Sequence, residues 1–135
     1  LSGNDDAKRS LRLPDPFTAY DWVVVSAYYS MYHASLAALA QIGYRSKNHS
    51  ATIIALEVLF VRKKLLEIDF IDALKDARSL EGEYIETIRR ARRQRETAQY
   101  LVTKDTGKNI AENSIARARS FVNRMDALIM ELKAR

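Results

Sequence analysis

Five arginines crowd one short stretch of the sequence and offer the clearest chemistry in the chain. They fall within seven consecutive positions, at Arg89, Arg90, Arg92, Arg93 and Arg95. So many guanidinium groups on one helix repel one another unless phosphate or carboxylate lies nearby. Guanidinium groups pair well with phosphate oxygens, and neighbouring aromatic rings can stack on bases. The stretch therefore predicts binding of an RNA backbone or of a nucleotide phosphate.

A tyrosine follows these arginines at helical spacing. One side of a helix carries Arg89, Arg93, Glu96 and Tyr100, and this row is the preferred site. Two structural alternatives stay open. Tyr100 could be a core tyrosine with a satisfied hydroxyl. Exposed glutamates could neutralise the arginines through surface pairs worth only roughly 0.2–0.5 kcal/mol each; the candidates are Glu81, Glu83, Glu86 and Glu96.

The first of the two histidines, His33, lies in a tyrosine-rich apolar stretch. It comes four residues after Tyr29 and directly after Tyr32, and all three are candidate site residues. The apolar surroundings favour a core histidine. The catalytic alternative is a general base acting on a ribose 2′-hydroxyl, a role that suits an imidazole with a pKa near neutrality.

The second histidine, His49, follows two cations in a polar segment. Arg45 and Lys47 precede it. The structural interpretation is that His49 caps or packs the start of a helix. The functional alternative is that these three residues form a second basic lobe that faces the arginine row and contacts nucleotide or RNA.

No metal or phosphate-loop motif stands out. Two histidines and no cysteine, without H-x-x-x-H or E-x-x-H spacing, make a zinc site improbable. Glycine-rich phosphate loops and G-x-S-x-G patterns are absent, so kinase, GTPase and hydrolase functions have no support. We expect no metal and no cofactor.

Length and composition indicate one globular domain. The 135 residues are 47% hydrophobic and 29% charged, with a net charge of +5 that suits an anionic partner. The lack of cysteine fits a reducing compartment, and the first residues lack a signal-peptide pattern. Polar residues interrupt the apolar stretch 23–40, which makes it a poor membrane span. We expect a cytoplasmic protein.

Apolar spacing predicts helices and no strands. Pro14 and Pro16 set apart an arm over 1–16 from a helical bundle over 17–135. The first helix is expected to begin at Thr18 or Asp21 and to end at about Gln41. The second, third and last helices are expected over 50–63, 69–100 and 110–132. Four such helices with short connections most simply form an all-α, up-and-down antiparallel bundle, for which a symmetric dimer is plausible.

The helix ends carry recognisable signals. Gly43 is expected to end the first helix, and Asn48 or Ser50 to cap the second. Gly82 is expected to break or kink the third helix, and a loop is expected at 104–108 around Gly107.

Helical periodicity also predicts which side chains face the core. In the first helix these are Trp22, Val25, Tyr29, Tyr32, Leu36 and Leu39. In the second they are Ile53, Ile54, Leu56, Leu59 and Phe60. In the last they are Ile115, Ala118, Val122, Met125, Ile129 and Leu132.

Three ordered segments carry a family resemblance. The run 27–34, AYYSMYHA, resembles the "AYYAMYHA" signature of small HEPN proteins that often accompany a minimal nucleotidyltransferase. The segment 43–50, GYRSKNHS, is similar to the family's "G-x-x-x-K-x-H-S" link, and 95–100, RETAQY, to its "R-x-x-A-D-Y" segment. Together the three segments extend the resemblance over about residues 22–130.

The resemblance implies a four- or five-helix antiparallel bundle that forms a homodimer beside a nucleotidyltransferase partner in a toxin–antitoxin-like pair. In some members the partner modifies the motif tyrosine, which here is Tyr100. Members with ribonuclease activity carry an arginine, four to six residues, and then a histidine. Reading from Arg93, that histidine is replaced by Ala98, and the aspartate of the "A-D-Y" form is Gln99.

Three functional hypotheses follow. The first is a HEPN-like subunit that binds nucleotide or RNA in a dimer cleft lined by Arg93, Arg95 and Tyr100. The second is a metal-independent endoribonuclease, in which Arg93 or Arg95 stabilises the phosphorane and His33 or His49 moves the proton. The third, which the replacement at Ala98 favours, is a non-catalytic module that binds nucleotide, RNA or an acidic partner helix.

Overall fold

The computed structural model describes residues 19–94 and 104–135. Within these ranges the chain forms four α-helices and no strand: α1 (Ala19–Gln41), α2 (His49–Leu56), α3 (Ile68–Gln94) and α4 (Lys104–Lys133). A π-helical segment, Glu57–Val61, continues α2. The all-α bundle predicted from the sequence is confirmed. The proposed arm over 1–16 lies outside the described residues.

Side-chain pairs show how the three long helices run. Arg124 of α4 meets Glu67 just before α3, and Arg117 meets Asp76 further along α3, so α3 and α4 run in opposite directions. On the other side, Tyr28 of α1 lies near Arg78, whereas Asp21 lies near Tyr84. The long helices therefore alternate in direction, and α2 lies at the end of the bundle where α1 passes into α3.

Gly43 ends α1 as predicted. Its φ angle is +80°, a left-handed conformation that glycine adopts without a steric penalty. The N–H of Gly43 donates to the carbonyl of Ala40 at 2.9 Å, and the N–H of Tyr44 donates to Leu39 at 3.0 Å. These bonds satisfy carbonyls that the end of the helix would otherwise leave unpaired.

Asn48 caps α2, which confirms one of the two predicted caps. Its side-chain oxygen accepts from the N–H of Ala51 at 2.8 Å, while Ser46 donates its hydroxyl to the Asn48 carbonyl at 2.9 Å. The helix then widens into the π-helical segment, where Arg62 donates its N–H to Glu57 at 2.9 Å. Lys64, with φ of +60°, lies in the turn that follows this segment.

Two predictions about helix continuity are wrong. The helix α3 runs unbroken through Gly82, and α4 already begins at Lys104, so the expected loop at 104–108 is helical. A glycine inside a helix costs only about 1 kcal/mol relative to alanine. Tertiary burial, here of residues such as Ala111 and Phe121 in α4, readily offsets that cost.

The core forms where α1 packs against α3 and α4. Its largest fully buried side chains are Tyr28, Met31, Leu39, Leu56, Phe60, Ile71, Leu74, Phe121, Met125 and Leu128. Phe70 and Phe121 meet edge to face with ring centroids 6.2 Å apart. Arg124 fastens the turn before α3, because its guanidinium donates to Glu67 at 2.9 Å and to the Leu65 carbonyl at 2.8 Å.

The predicted core-facing side of α1 is partly wrong. Trp22 is 53% exposed and Tyr29 is 39% exposed, whereas Tyr28 and Met31 are buried. The reason is that α1 is apolar or aromatic around most of its circumference, so spacing alone does not select the buried arc. Ile54 in α2 is also exposed, contrary to the prediction.

The α1 helix is apolar enough for a membrane span by length and composition, with a mean hydropathy of 1.2 over its most apolar window. In the bundle, 39% of that window is buried, and Val24, Met31 and Leu39 of this helix belong to the core. The helix thus contributes buried side chains to the bundle core.

Truncating Phe121 should destabilise the bundle more than truncating an exposed apolar residue. Phe121→Ala leaves a cavity at a fully buried site and is expected to lower the free energy of unfolding by about 3–5 kcal/mol. The matched control Met130→Ala, at a position that is 68% exposed, should change it by less than about 0.5 kcal/mol. Urea unfolding followed by circular dichroism measures both. Equal effects would contradict this assignment of the core.

Candidate functional site

Three aromatic rings from α1 and α2 meet in nearly parallel planes and form what we call the tyrosine–histidine cluster: Tyr28, Tyr32 and His49. The Tyr32 and His49 rings stack with centroids 4.2 Å apart and planes 11° apart. Tyr28 stacks on His49 at 5.5 Å. The two tyrosines lie four residues apart on one side of α1, and the turn at Gly43 brings His49 over them.

A hydrogen bond between Tyr28 and His49 orients the cluster. Burial raises the pKa of Tyr28 to about 12, although the nearby Arg78 charge acts in the opposite direction. The phenol therefore stays protonated and shares a hydrogen bond with His49 Nδ1, in which the donor is set by the imidazole tautomer. Burial also lowers the pKa of His49, and Arg78 lowers it further while Glu81 opposes them. Both effects favour the neutral form of the His49 imidazole.

Arg78 of α3 places a cation beside the cluster. Its guanidinium donates to the hydroxyl of Ser50, the second residue of α2, at 3.2 Å. Glu81 lies one turn further along α3 and offsets part of this charge. The cluster thus combines stacked rings, an imidazole N–H and a guanidinium group, which are the side chains that bind bases and phosphates.

The cluster has an accessible edge. Tyr28 is buried, but Tyr32 and His49 are half-buried. Tyr29 packs edge-on against Tyr28 at 5.3 Å and is 39% exposed. A planar ligand can therefore reach the aromatic edge from solvent without disturbing the core.

The predicted core position of His33 is wrong. The side chain is exposed on α1, with its ring tilted against Tyr32 at 5.9 Å. It follows Tyr32 directly, so it points away from the side of the helix that carries the buried Tyr28 and Met31. His49 does pack at a helix start, as the structural interpretation held, but the capping side chain is that of Asn48.

The predicted cationic residues divide between two regions. Arg45 and Lys47 are exposed in the link just before α2, next to the cluster. Arg89 is exposed eleven residues beyond Arg78, which is about 16 Å further along α3. Because that direction leads toward the start of α1, the described part of the chain does not bring Arg89 together with Arg45 and Lys47.

The remaining predicted site residues are described only in part or not at all. Arg92 and Arg93 lie in the last turn of α3. Arg95, Ala98 and Tyr100 lie outside the described residues, so the roles given to the dimer-cleft arginines and to Tyr100 stay predictions. Within the described residues, no group of three or more acidic, histidine or cysteine side chains has the arrangement of a metal site.

The sequence-based selection of site residues omitted Arg78, Ser50 and Tyr28. Arg78 lies in a helix with many charged residues, and nothing in its spacing marks it. Tyr28 had a usable signal, since it precedes Tyr32 by four residues in a helical stretch.

Comparison with known proteins identifies the family. The model of the HEPN domain matches residues 4–128, nearly the whole chain. The chain belongs to the HEPN domain family. No curated protein and no solved structure gives a significant match. HEPN membership indicates a nucleotide- or RNA-related function, ribonuclease activity included, and HEPN domains are generally soluble.

Two of the three segments that resemble HEPN motifs meet in the structure. Tyr28 and Tyr32 come from the AYYSMYHA segment, and His49 comes from the GYRSKNHS segment. The cluster is therefore the place where these two HEPN-like segments contact each other.

This HEPN domain should become less stable at acidic pH because of the titration of His49. The folded-state pKa is lowered below the ordinary value of 6.5, so the unfolded chain binds the proton more readily. The free energy of unfolding should be fully retained above about pH 6.5 and should decrease as pH falls through the lowered folded-state pKa.

Urea unfolding at about pH 7.5 and about pH 5.5 tests this. His49→Gln should remove part of the decrease, whereas the control His33→Gln, which removes the exposed histidine, should retain it. The Glu67 carboxyl, whose pKa is lowered by its hydrogen bond to Arg124, titrates at lower pH and does not account for the change. An equal pH dependence in both variants would contradict the assignment.

Proposed function

We propose that this HEPN protein binds nucleotide or RNA and acts as the partner subunit of a minimal nucleotidyltransferase in a toxin–antitoxin-like pair. The observation that carries the binding proposal is the stack of Tyr32 on His49 beside Arg78. Stacking on aromatic rings accepts any base, and a guanidinium group accepts phosphate, so this arrangement favours single-stranded RNA or nucleotide.

Exposed cations extend the binding surface. Arg45 and Lys47 lie beside the tyrosine–histidine cluster, and Arg89 and Arg90 lie exposed on the second half of α3. The net charge of +5 supports attraction of a polyanion to the whole surface. In a homodimer the arginine stretch, including Arg93 and Arg95, would line the cleft in which RNA or nucleotide lies.

The cleavage alternative rests on the exposed imidazole of His33 beside Tyr32. His49 suits it less, because its Nδ1 is already engaged in a hydrogen bond with the buried Tyr28 hydroxyl. A ribonuclease would therefore depend on His33 together with Arg93 or Arg95. We favour binding because Ala98 stands where nucleolytic HEPN members have the motif histidine.

RNA affinity should depend on the stacking ring and on the arginines. Tyr32→Ala should weaken binding of a short fluorescent single-stranded RNA by about 1–3 kcal/mol, whereas the control Tyr32→Phe should retain most of the affinity because the ring remains. Arg89→Gln should also lower the affinity and reduce its salt dependence, while Arg135→Gln, an equal loss of charge at the chain end, should not. Fluorescence anisotropy over a salt series measures each.

Two outcomes would contradict the binding proposal. The first is equal affinity of the wild type and all four variants. The second is cleavage of the same RNA in excess EDTA that disappears in Arg95→Ala and His33→Ala; that result would make the protein a metal-independent endoribonuclease.

The paired-subunit proposal predicts a stable complex. A minimal nucleotidyltransferase encoded beside this chain should copurify with it after co-expression, and size-exclusion chromatography with light scattering should find two HEPN chains in the assembly. We expect both proteins in the cytoplasm. A monomer that passes through the column apart from the nucleotidyltransferase would contradict the proposal.

A further inference from the structure

An open groove of about 540 Å³ lies between α2 and α3, and Arg78 is among the residues that line it. Its volume is in the range of small-molecule sites. Ile54 lies on the α2 side and is 59% exposed, so its apolar surface is available to a ligand. Lys75 and Arg78 lie on the α3 side, one turn apart. The α3 wall is therefore cationic, whereas the α2 wall combines Ile53 and Ile54 with the polar Ser50 and Glu57.

The end of the groove is open because Gly82 has no side chain. A Cβ atom placed there would meet nothing within 4 Å, so the space above α3 is unfilled. This glycine lies one turn beyond Arg78 on the same side of α3. The position over Gly82 thus has room for a flat group within the groove that Ile54 also lines.

The two cations of the groove have partners that a ligand can displace. Lys75 Nζ pairs with Glu57 at 3.0 Å, but both side chains are substantially exposed, at 51% and 34%. Exposed pairs of this kind contribute little free energy. Arg78 donates to the neutral hydroxyl of Ser50 at 3.2 Å. A phosphate would give both cations a stronger, charge-assisted partner.

We propose that the α2/α3 groove binds a phosphorylated nucleoside, with its phosphate between Lys75 and Arg78 and its base over Gly82 against Ile54. This inference rests on the proposed nucleotide- or RNA-binding function and names where the phosphate lies. The same chemistry is presented by a free nucleotide and by the phosphorylated end of an RNA strand.

Arg78 links the groove to the tyrosine–histidine cluster. Its charge acts on both Tyr28 and His49. Phosphate bound to Arg78 brings negative charge near the imidazole and offsets the guanidinium. The pKa of His49 should therefore rise when the groove is occupied, while Tyr28, Tyr29, Tyr32 and Glu81 remain its other polar neighbours. This shift is a readout that a purely structural role of Arg78 would not give.

The test is binding of adenosine 5′-monophosphate to the full chain, by calorimetry and by NMR titration of the histidines. Wild-type protein should bind it saturably and bind adenosine much more weakly. Lys75→Gln and Arg78→Gln should each lower the affinity about tenfold, the loss of one charge-assisted contact. Arg117→Gln, which removes an exposed cation of α4 outside the groove, should leave the affinity unchanged.

The Gly82→Leu variant tests whether nucleotide binding can be lost while the protein remains folded. Leucine favours helix over glycine and enters open space, so the protein should remain folded while the groove is filled and nucleotide binding is lost. A 5′-phosphorylated trinucleotide, compared with its 5′-hydroxyl form, separates the two sources: tighter binding than the mononucleotide assigns the groove to RNA ends, and weaker binding assigns it to free nucleotide.

The groove assignment is overturned if the mononucleotide does not bind, if adenosine binds equally well, or if Lys75→Gln, Arg78→Gln and Gly82→Leu all bind like wild type. RNA binding that still depends on Tyr32 and Arg89 would then leave the proposed function standing without the groove. Failure of both nucleotide and RNA to bind would remove the proposed function itself.

Discussion

The buried hydroxyl of Tyr28 imposes a constraint on which the candidate site depends. A phenol that is 1% exposed needs a hydrogen-bond partner inside the protein, and that partner is His49 Nδ1. Because His49 is the first residue of α2, the bond fixes where α2 begins relative to α1. The position of Ser50 follows, and with it the contact that holds Arg78. Three helices are thereby joined through one buried polar group.

The local signals in the sequence predicted the helix ends well where the chemistry is short-range. Gly43 and Asn48 act through their own backbone and the next few residues, so their roles can be derived from residue type. The loop predicted around Gly107 was wrong because a helix can tolerate a glycine when packing of other residues along the helix compensates for its cost. The family resemblance, carried by motif residues, agreed with the match to the HEPN domain.

Long-range packing was the part that the sequence did not reveal. Tyr28 and Tyr29 are identical in type and adjacent, yet one is buried and the other is 39% exposed. Only the positions of α3 and α4 around α1 decide between them. The same limit applies to Arg78, whose importance comes from contacts with residues 28 positions and more away in the chain. Tyrosines and histidines could be selected as site residues from the sequence. Arg78, the cation that accompanies them, could be found only from the fold.

The π-helical turn after α2 has a consequence for how this family can vary. Its bonds span five residues, from Arg62 to Glu57 and from Leu65 to Phe60, so the turn contains one residue more than an α-helical turn would. The wider turn accommodates this extra residue locally, so removing one residue from Glu57–Val61 would restore ordinary α-helical pairing while the segments on either side keep their positions. Homologues that differ in length by a single residue at this point should thus keep the Asn48 cap and the histidine contact yet present a different side chain in place of Glu57. At this turn, one insertion or deletion changes a side chain that lines the α2/α3 groove and leaves the bundle intact.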